Sequence, residues 1–358
     1  MKLLTRYLAS EIYSSLLLVF SSLIMLFAFF DLLGELNDMG KGHYTLSYVL
    51  MYVILTIPTR IYELFPVAVL IGTIFALVQM AANSELTIYR SSGASLKQMV
   101  RAILKIGLPL MILSLMVGEF IAPPSMRFAQ EIRLKALNAQ VSFKEFRSGV
   151  WVKDERSFVN VKNVLPDSTL LNISIYEFDE NFSLLGITAA QRGNFVKEGR
   201  WQLEGVMQTR FDPKGAQIVR LARKEWPSSI TPDILRVLMV VPEQMSAWNL
   251  YLYTQHLKEN KQEATRYEIE MWNKIVYPFS VMVMMLLALP FASHQKRSGG
   301  ISGKIFTGIV LGLSFYFIGR LFAHLGSLNY WQPIVSASVM TVVFLMLALG
   351  MLWWTEKR

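Results

Sequence analysis

The sequence predicts a polytopic α-helical membrane protein, with six transmembrane helices arranged three and three around an inserted antiparallel β domain of jelly-roll-like type. Only 17% of its 358 residues are charged, against about a quarter in ordinary soluble domains. Phe65–Ala82 and Val335–Trp354 contain no charged residue, and at roughly 1.5 Å per residue each can cross about 30 Å of hydrocarbon. Between the third and fourth apolar runs the hydrophobic period shortens to that of a β-strand.

Six apolar runs predict the membrane spans. They are Ile12–Leu33, Phe65–Ala82, Ile106–Ile121, Ile275–Ser293, Ile305–His324 and Ile334–Trp354. The first run has no small-residue cleavage site, so we expect a permanent span and not a signal peptide. A further run, Leu46–Thr56, is too short to cross the membrane. It predicts either an interfacial helix or, as we favour, an extension of the second span.

The distribution of Lys and Arg among the short loops predicts the orientation. One side carries Lys2, Arg6, Arg90, Lys97, Arg101, Lys105, Lys296, Arg297, Lys304, Lys357 and Arg358. The short loops on the opposite side carry only Lys41 and Arg60. We therefore expect both termini in the cytoplasm and the long segment between the third and fourth spans on the other side of the membrane.

That long segment carries the predicted β domain. Alternating runs such as Phe158–Val161 and Leu171–Tyr176 predict short strands, and turn signals such as Asp212-Pro213-Lys214-Gly215 separate them. This pattern is typical of an antiparallel sandwich or jelly roll. Before the strands, we expect Met126–Leu137 to continue the third span as a helix beyond the membrane. The predicted division is residues 1–137, 138–245 and 246–358.

Composition and motifs exclude several classes of function. The net charge of +9 does not indicate nucleic-acid binding, because the basic residues cluster at the ends of apolar runs. The absence of cysteine excludes disulfides and thiolate metal sites. Ser298–Ile305 fails the phosphate-binding loop pattern at its first and last positions, and the four histidines have no metal-ligand spacing. A membrane enzyme stays open, because intramembrane acids and bases need no local motif.

Charged residues at membrane depth are candidate functional residues, because placing them there is costly. They are Asp31, Glu35, Glu63, Glu119, Arg320 and His324. Such residues either reach the interface at a span end, as we expect for Glu119, or line a polar cavity, and both positions stay open for Arg320. Arg133 lies on a largely apolar helical face. Its guanidinium there either binds an anion such as a lipid phosphate or forms an internal salt bridge.

The loop after the second span predicts a short cytoplasmic helix near residues 84–92. Asn83 or Ser84 can cap this helix, Glu85 is favourable in its first turn, and Gly93 can end it. Ser95 can cap the helix that follows. Permeases engage a separate ATPase through a helix of this shape, and the alternative is an ordinary connecting turn.

At these residues the sequence resembles a known family. Ser84-Glu85-Leu86 with Arg90-Ser91-Ser92-Gly93, Gly118–Pro123 and Arg266–Ile275 are similar to the lipopolysaccharide export permeases, the LptF and LptG subunits of an ABC transporter. The resemblance covers essentially the whole chain. Arg266–Ile275, with Pro278 and the Met-rich run Val281–Leu289, is more similar to LptG than to LptF.

The resemblance implies a non-catalytic subunit of the bacterial inner membrane with a periplasmic β domain. Family members pair as an LptF–LptG heterodimer through their first and fifth spans. Two copies of the ATPase LptB bind ATP and Mg²⁺ and power the pair, so no cofactor is expected in this chain. Lipopolysaccharide is extracted from the inner membrane and passes through the periplasmic protein LptC toward the outer membrane.

The resemblance also implies roles for particular residues. Glu85, with Ser84 and Arg90 beside it, matches the region that contacts the ATPase. Arg133 matches a basic residue that holds lipid phosphates, and Lys41 lies in a loop where relatives carry lipid-binding lysines. We add Arg320 to the lipid-binding candidates because of its depth in the membrane. The chain departs from some relatives at the end of the first span, where acidic residues replace basic ones and argue against phosphate binding by that helix: Asp31, Glu35 and Asp38.

Two other functions stay open from the sequence. A mechanotransmission permease would couple a cytoplasmic ATPase to a periplasmic process without passing lipid through its own cavity. A membrane-embedded enzyme acting on lipid or cell-wall precursors would depend on intramembrane carboxylates such as Asp31 or Glu119. A secondary transporter is disfavoured because the sequence has no internal inverted repeat.

Overall fold

The structure is a computed structural model of the whole chain. It describes residues 2–85, 95–137, 141–142, 150–154, 156–164, 169–180, 183–197, 199–212, 215–232, 242–293, 301–328 and 331–357.

Eight α-helices occur in the described residues. They are α1 (Lys2–Leu36), α2 (Leu46–Ala82), α3 (Leu96–Met116), α4 (Ala122–Ala136), α5 (Ala247–Glu259), α6 (Thr265–Ser293), α7 (Ile301–Leu328) and α8 (Pro333–Lys357). In the described part of the chain, six helical stretches are long and apolar enough to cross a membrane, which confirms the predicted three-plus-three arrangement. Leu46–Thr56 lies inside α2, so it extends the second span as expected.

The centre of the bundle is α2. Of its most apolar stretch 78% is buried, whereas the figures are 11% for α1 and 17% for α7. α2 packs against α1, α4, α6 and α7. Glycines allow the closest approaches: a methyl group at Gly312 of α7 would lie 2.7 Å from Val67 Cγ1, and one at Gly72 of α2 would lie 2.9 Å from Leu16 Cα. α1 and α7 thus approach α2 closely, and α7 also packs against α6 and α8, but most of the apolar stretch of each of these two helices is not buried.

The third span continues as a helix beyond its apolar run, as predicted. Ser95 caps α3, and its hydroxyl accepts a hydrogen bond from the Gln98 backbone N–H at 3.3 Å. A single π-helical segment, Val117–Ile121, then joins α3 to α4. Pro123 and Pro124 follow it, and the missing N–H groups of these prolines leave carbonyls in the preceding turn without their usual donors. The helix therefore changes from α to π geometry at this point and continues without interruption.

The inserted domain is an antiparallel sheet, as predicted. Its strands are β1 (Val141–Ser142), β2 (Val150–Asp154), β3 (Ser157–Val164), β4 (Leu170–Phe178), β5 (Leu184–Lys197), β6 (Arg200–Asp212) and β7 (Gly215–Pro227). β1 and β2 both pair with β3, and the order then continues as β4, β5, β6 and β7. From β2 onward, each described strand pairs with its neighbour in the chain, so this part of the sheet is a meander.

One face of the sheet forms the core of the β domain. The period-two positions Val159, Val161, Ile173 and Ile175 are buried there. Trp201 is the largest fully buried side chain of the described residues, and its indole N–H donates to the Ile230 carbonyl at 2.8 Å. That hydrogen bond satisfies the polar atom that burial would otherwise leave unpaired.

Candidate functional site

A cluster of ion pairs joins the C-terminal end of α1 to its neighbours. Asp31 and Glu35 lie one turn apart on α1. Arg60 of α2 donates to both carboxylate oxygens of Asp31, from Nε at 2.9 Å and from Nη2 at 2.7 Å. Its Nη1 donates to Glu63 at 2.7 Å. Arg60 therefore uses its planar fork on one carboxylate and its remaining edge on another.

Arg133 of α4 continues this cluster. Its Nε donates to Glu35 at 2.8 Å and its Nη2 to Asp38 at 2.5 Å. The guanidinium carbon lies 5.7 Å from the Tyr52 ring centroid. Of the two interpretations that the sequence left open, the internal salt bridge is present in the structure. The role of Arg133 in lipid binding stays a prediction.

Lys41 and Tyr44 complete the cluster. Lys41 Nζ lies 2.5 Å from Asp38 Oδ1, with 63% of the side chain exposed. The Tyr44 hydroxyl donates to Glu35 at 2.9 Å. Burial, together with this hydrogen bond, raises the pKa of Tyr44, so the hydroxyl stays a donor. We call the charged residues the α1 ion cluster: Asp31, Glu35, Asp38, Lys41, Arg60, Glu63 and Arg133.

The α1 ion cluster explains the acidic residues at the end of the first span. Four carboxylates face three cations, so the charges nearly cancel. A cavity of about 230 Å³ lies against the cluster, lined by Asp31, Glu35 and Arg60 among others. The carboxylates act as counterions that hold α1 to α2 and α4, and a phosphate entering here would compete with them for the same donors.

Glu119 has a structural partner outside the membrane spans. Its carboxylate accepts hydrogen bonds from the backbone N–H groups of Ala247 at 2.8 Å and Trp248 at 3.2 Å, at the first turn of α5. The N-terminal N–H groups of a helix lack intrahelical acceptors and favour a negative charge. Glu119 therefore ties the π-helical segment to α5, at a span end as the sequence predicted.

The two carboxylates named for a membrane enzyme, Asp31 and Glu119, are engaged by Arg60 and by the start of α5. Among the described residues, no group of three or more His, Asp or Glu side chains is placed to hold a metal ion.

Arg320 is exposed on α7 and also lines a cavity between helices of the bundle. Its guanidinium carbon lies 5.1 Å from the Tyr316 ring centroid on α7. Glu63, Glu270 and Lys274 line the same cavity of about 160 Å³. Of the two positions left open for Arg320, the structure therefore places it at a polar cavity. Lys274 carries no distinguishing signal in the sequence, because its position near the predicted start of the fourth span resembles that of an ordinary interfacial residue.

The loop after α2 is described as far as Glu85. Ser84 has a left-handed backbone with φ of 65°. Glu85 accepts a hydrogen bond from the Tyr7 hydroxyl at 3.0 Å, so it joins the ends of α1 and α2. Arg90 and most of the predicted coupling helix, residues 86–92, lie outside the described residues. The contact with Tyr7 had no local signal in the sequence, because the two residues are 78 positions apart.

Comparisons with known proteins agree with this architecture. A family model described as lipopolysaccharide export system permease LptF/LptG matches residues 6–354. The chain is 32% identical to the lipopolysaccharide export system permease protein LptG of Haemophilus influenzae, over 99% of this chain and 98% of that protein. It is 31% identical to LptG of Escherichia coli K12, over 98% and 97% of the two chains. The chain thus belongs to the LptF/LptG family of lipopolysaccharide export permeases.

Proposed function

We propose that this chain is the LptG-like permease subunit of a transporter that extracts lipopolysaccharide from the inner membrane. Its partners are an LptF-like second permease, two copies of an LptB-like ATPase and an LptC-like periplasmic protein. The observation that carries the proposal is the poor burial of α1 and α7, at 11% and 17% of their most apolar stretches. These helices are the first and fifth spans, through which members of this family are expected to pair.

In this proposal the termini lie in the cytoplasm and the sheet lies in the periplasm. The excess of Lys and Arg in the loops on the side of the termini supports this orientation. It places Glu85 at the cytoplasmic face and the α1 ion cluster at the periplasmic end of α1. One end of α1 therefore contacts Glu85, and the other end carries the carboxylates of the α1 ion cluster.

The chemical energy comes from the separate ATPase, which binds ATP and Mg²⁺. Ser84, Glu85 and the neighbouring Arg90 form the contact with it. The Tyr7–Glu85 hydrogen bond at 3.0 Å supports a direct route for movement from the ATPase to α1. Because α1 is also a wall of the proposed lipid path, a shift of Glu85 displaces a helix that touches the substrate.

Lipid phosphates bind at Arg133 and Lys41 by exchange with carboxylates. Arg133 already donates to Glu35 and Asp38, and Lys41 to Asp38. A lipid phosphate takes over these donors and releases the carboxylates, which then have no cation in the same geometry. Release of the phosphate re-forms the internal pairs. Exchange of this kind keeps Arg133 from being left buried without a partner and allows the lipid to leave.

Co-purification from the native membrane, followed by reconstitution, tests the proposal. We expect mass spectrometry of the mild-detergent complex to find a second six-span permease, a cytoplasmic ATPase and a phosphorylated glycolipid. Proteoliposomes of that complex should release the glycolipid to a periplasmic acceptor only with ATP. An ATPase without lipid would favour the mechanotransmission alternative, and the absence of both would refute the export function.

A further inference from the structure

A second charged cavity lies between helices of the bundle and reaches the surface at the exposed Arg320 of α7. We call it the bundle cavity. Side chains of α2, α6, α7 and α8 line it, and its volume is about 160 Å³. At about 10–15 Å³ for each water position, that space corresponds to on the order of ten waters. It is large enough for a phosphate group with several methylene groups attached.

Two cations of the bundle cavity have carboxylates nearby but no direct ion pair in the described part of the chain. Lys274 Nζ lies 4.4 Å from the Tyr62 ring centroid, and Arg320 lies 5.1 Å from that of Tyr316. Neither cation forms a salt bridge or a hydrogen bond with a described residue. An aromatic face attracts a cation but leaves its N–H donors unused. Both groups therefore hold donors available to an anion.

The carboxylates around the cavity do not supply that anion. Glu63 is engaged by Arg60 at 2.7 Å, and Glu243 by Arg266 at 3.1 Å. Glu270 remains, one helical turn before Lys274 on α6. Glu63, Glu119 and Glu270 act on Lys274 through space, but in the described residues none of them forms a salt bridge with Lys274 or Arg320. The aromatic faces of Tyr62 and Tyr316 already hold these two cations, so the groups left for a ligand are their unused N–H donors, which take an anion.

The remaining wall of the cavity is apolar. Phe315 of α7 and the α8 residues Ala337 and Met340 line it and are largely buried. A free inorganic anion would leave this surface without a partner. Methylene groups packed there would be removed from water or mobile lipid, and Met can adapt to their shape. The cavity therefore combines a cationic end with an apolar wall.

We propose that the bundle cavity binds a phosphate-bearing amphiphile, with its phosphate on Lys274 and Arg320 and its first methylene groups against Phe315, Ala337 and Met340. All of these side chains belong to this chain, and Arg320 forms the exposed edge of the site on α7. Glu63 connects it to the α1 ion cluster, because its carboxylate binds Arg60 while the residue lines the cavity. A ligand bound in the cavity therefore lies beside Glu63, a member of the ion pairs that hold α1.

Titration of lipid into the delipidated full-length protein tests this inference. Native mass spectrometry would measure binding of phosphatidylglycerol, diacylglycerol and inorganic phosphate. We expect phosphatidylglycerol to bind with at least about tenfold higher affinity than either of the others, because only it offers both the charge and the chains. Inorganic phosphate binding as tightly as phosphatidylglycerol would overturn the amphiphile, and diacylglycerol binding as tightly would overturn the phosphate site.

Paired variants separate the charges from the fold. Lys274→Met with Arg320→Gln should lower phosphatidylglycerol affinity about tenfold or more. Lys135→Met with Arg156→Gln is the matched control, since it removes the same two charge types at exposed positions and should change affinity less than threefold. Lys274→Arg with Arg320→Lys should retain binding.

Two outcomes would overturn the proposed phosphate site. One is unchanged affinity in Lys274→Met with Arg320→Gln, and the other is an equal loss of affinity in the control pair. Equal loss in the conservative pair, with an unchanged melting temperature, would also do so.

Discussion

At the scale of single residues, partners that are distant in sequence decide what each charge does. The helical face of Arg133 was predicted to be largely apolar, and α4 is helical as expected. The carboxylate partners of Arg133 could not be found from the sequence, because Glu35 is 98 positions away. The acidic residues at the end of α1 were noticed as a departure from relatives, but their function as counterions required the packing of three helices.

Removal of Arg60 should destabilise the protein. Arg60→Ala leaves Asp31 and Glu63 without their cation in a partly buried position, where the loss of one partner is unfavourable. Because about a third of the Arg60 side chain is exposed, we expect a loss of about 1–2 kcal/mol and not the full cost of a buried charge. Thermal unfolding in detergent measures it. Arg156→Ala, at an exposed pair, is the control, and an equal effect there would contradict the prediction.

If Arg133 exchanges between carboxylates and a lipid phosphate, then removing Arg133 and neutralising its carboxylate partners should change the amount of bound lipid in opposite directions. Arg133→Ala should lower the lipopolysaccharide that co-purifies with the complex, by about tenfold. Glu35→Gln with Asp38→Asn should raise it, because the competing carboxylates lose their charge while similar shapes remain. Lys135→Ala, on the same helix, should leave it unchanged. A loss of lipid in the carboxylate variant would show that the pairs only support the fold.

At the scale of elements, the type of each element was more predictable than its ends. The first span was predicted as Ile12–Leu33, whereas α1 runs from Lys2 to Leu36. Hydropathy marks the part of a helix that lies in hydrocarbon, but backbone hydrogen bonding continues into the interface. The alternating runs became strands at their predicted positions. The π-helical segment before Pro123 was not predicted, although the Pro123-Pro124 pair is a signal for such an irregularity.

The link between Glu119 and α5 should be detectable by proteolysis. Glu119→Ala removes the acceptor of two backbone N–H groups at the start of α5, which typically costs about 1 kcal/mol. We expect faster cleavage within α5 under limiting protease and a lower melting temperature. The Ser246 hydroxyl would still accept a hydrogen bond from the Asn249 backbone N–H in this variant, so the helix should loosen at its first turn without unfolding. Unchanged cleavage kinetics would argue against the link.

The contact between α1 and Glu85 in the loop after α2 should matter for coupling. Glu85→Ala should separate ATP hydrolysis from lipid release, so that hydrolysis continues while release falls. Tyr7→Phe removes only the hydroxyl that donates to Glu85 and isolates the route through α1. We expect a smaller loss of release in Tyr7→Phe than in Glu85→Ala, measured per ATP hydrolysed in proteoliposomes. Wild-type release in Glu85→Ala would remove the residue from the mechanism.

At the scale of the whole molecule, the chain exposes more surface than a compact monomer of its size. Its accessible surface is 20151 Å², whereas a soluble monomer of 40.9 kDa would expose about 14,700 Å². The chain is a multi-pass inner-membrane protein, and part of the excess faces lipid. Sequence patterns predict which helices are apolar all round, but they do not distinguish a lipid-facing side from a subunit-facing side, because both are equally hydrophobic.

A photo-crosslinking residue at matched exposed positions distinguishes these two environments. Met25 of α1 is 75% exposed, Phe317 of α7 is 67% exposed, and Met346 of α8 is 60% exposed. If α1 and α7 form the lipid path with a second permease, crosslinkers at Met25 and Phe317 should capture that permease and lipopolysaccharide. A crosslinker at Met346, equally apolar but on a helix without this role, should capture ordinary phospholipid. Identical phospholipid adducts at all three positions would mean that the uncovered faces of α1 and α7 simply meet the bilayer, and the pairing through them would be wrong.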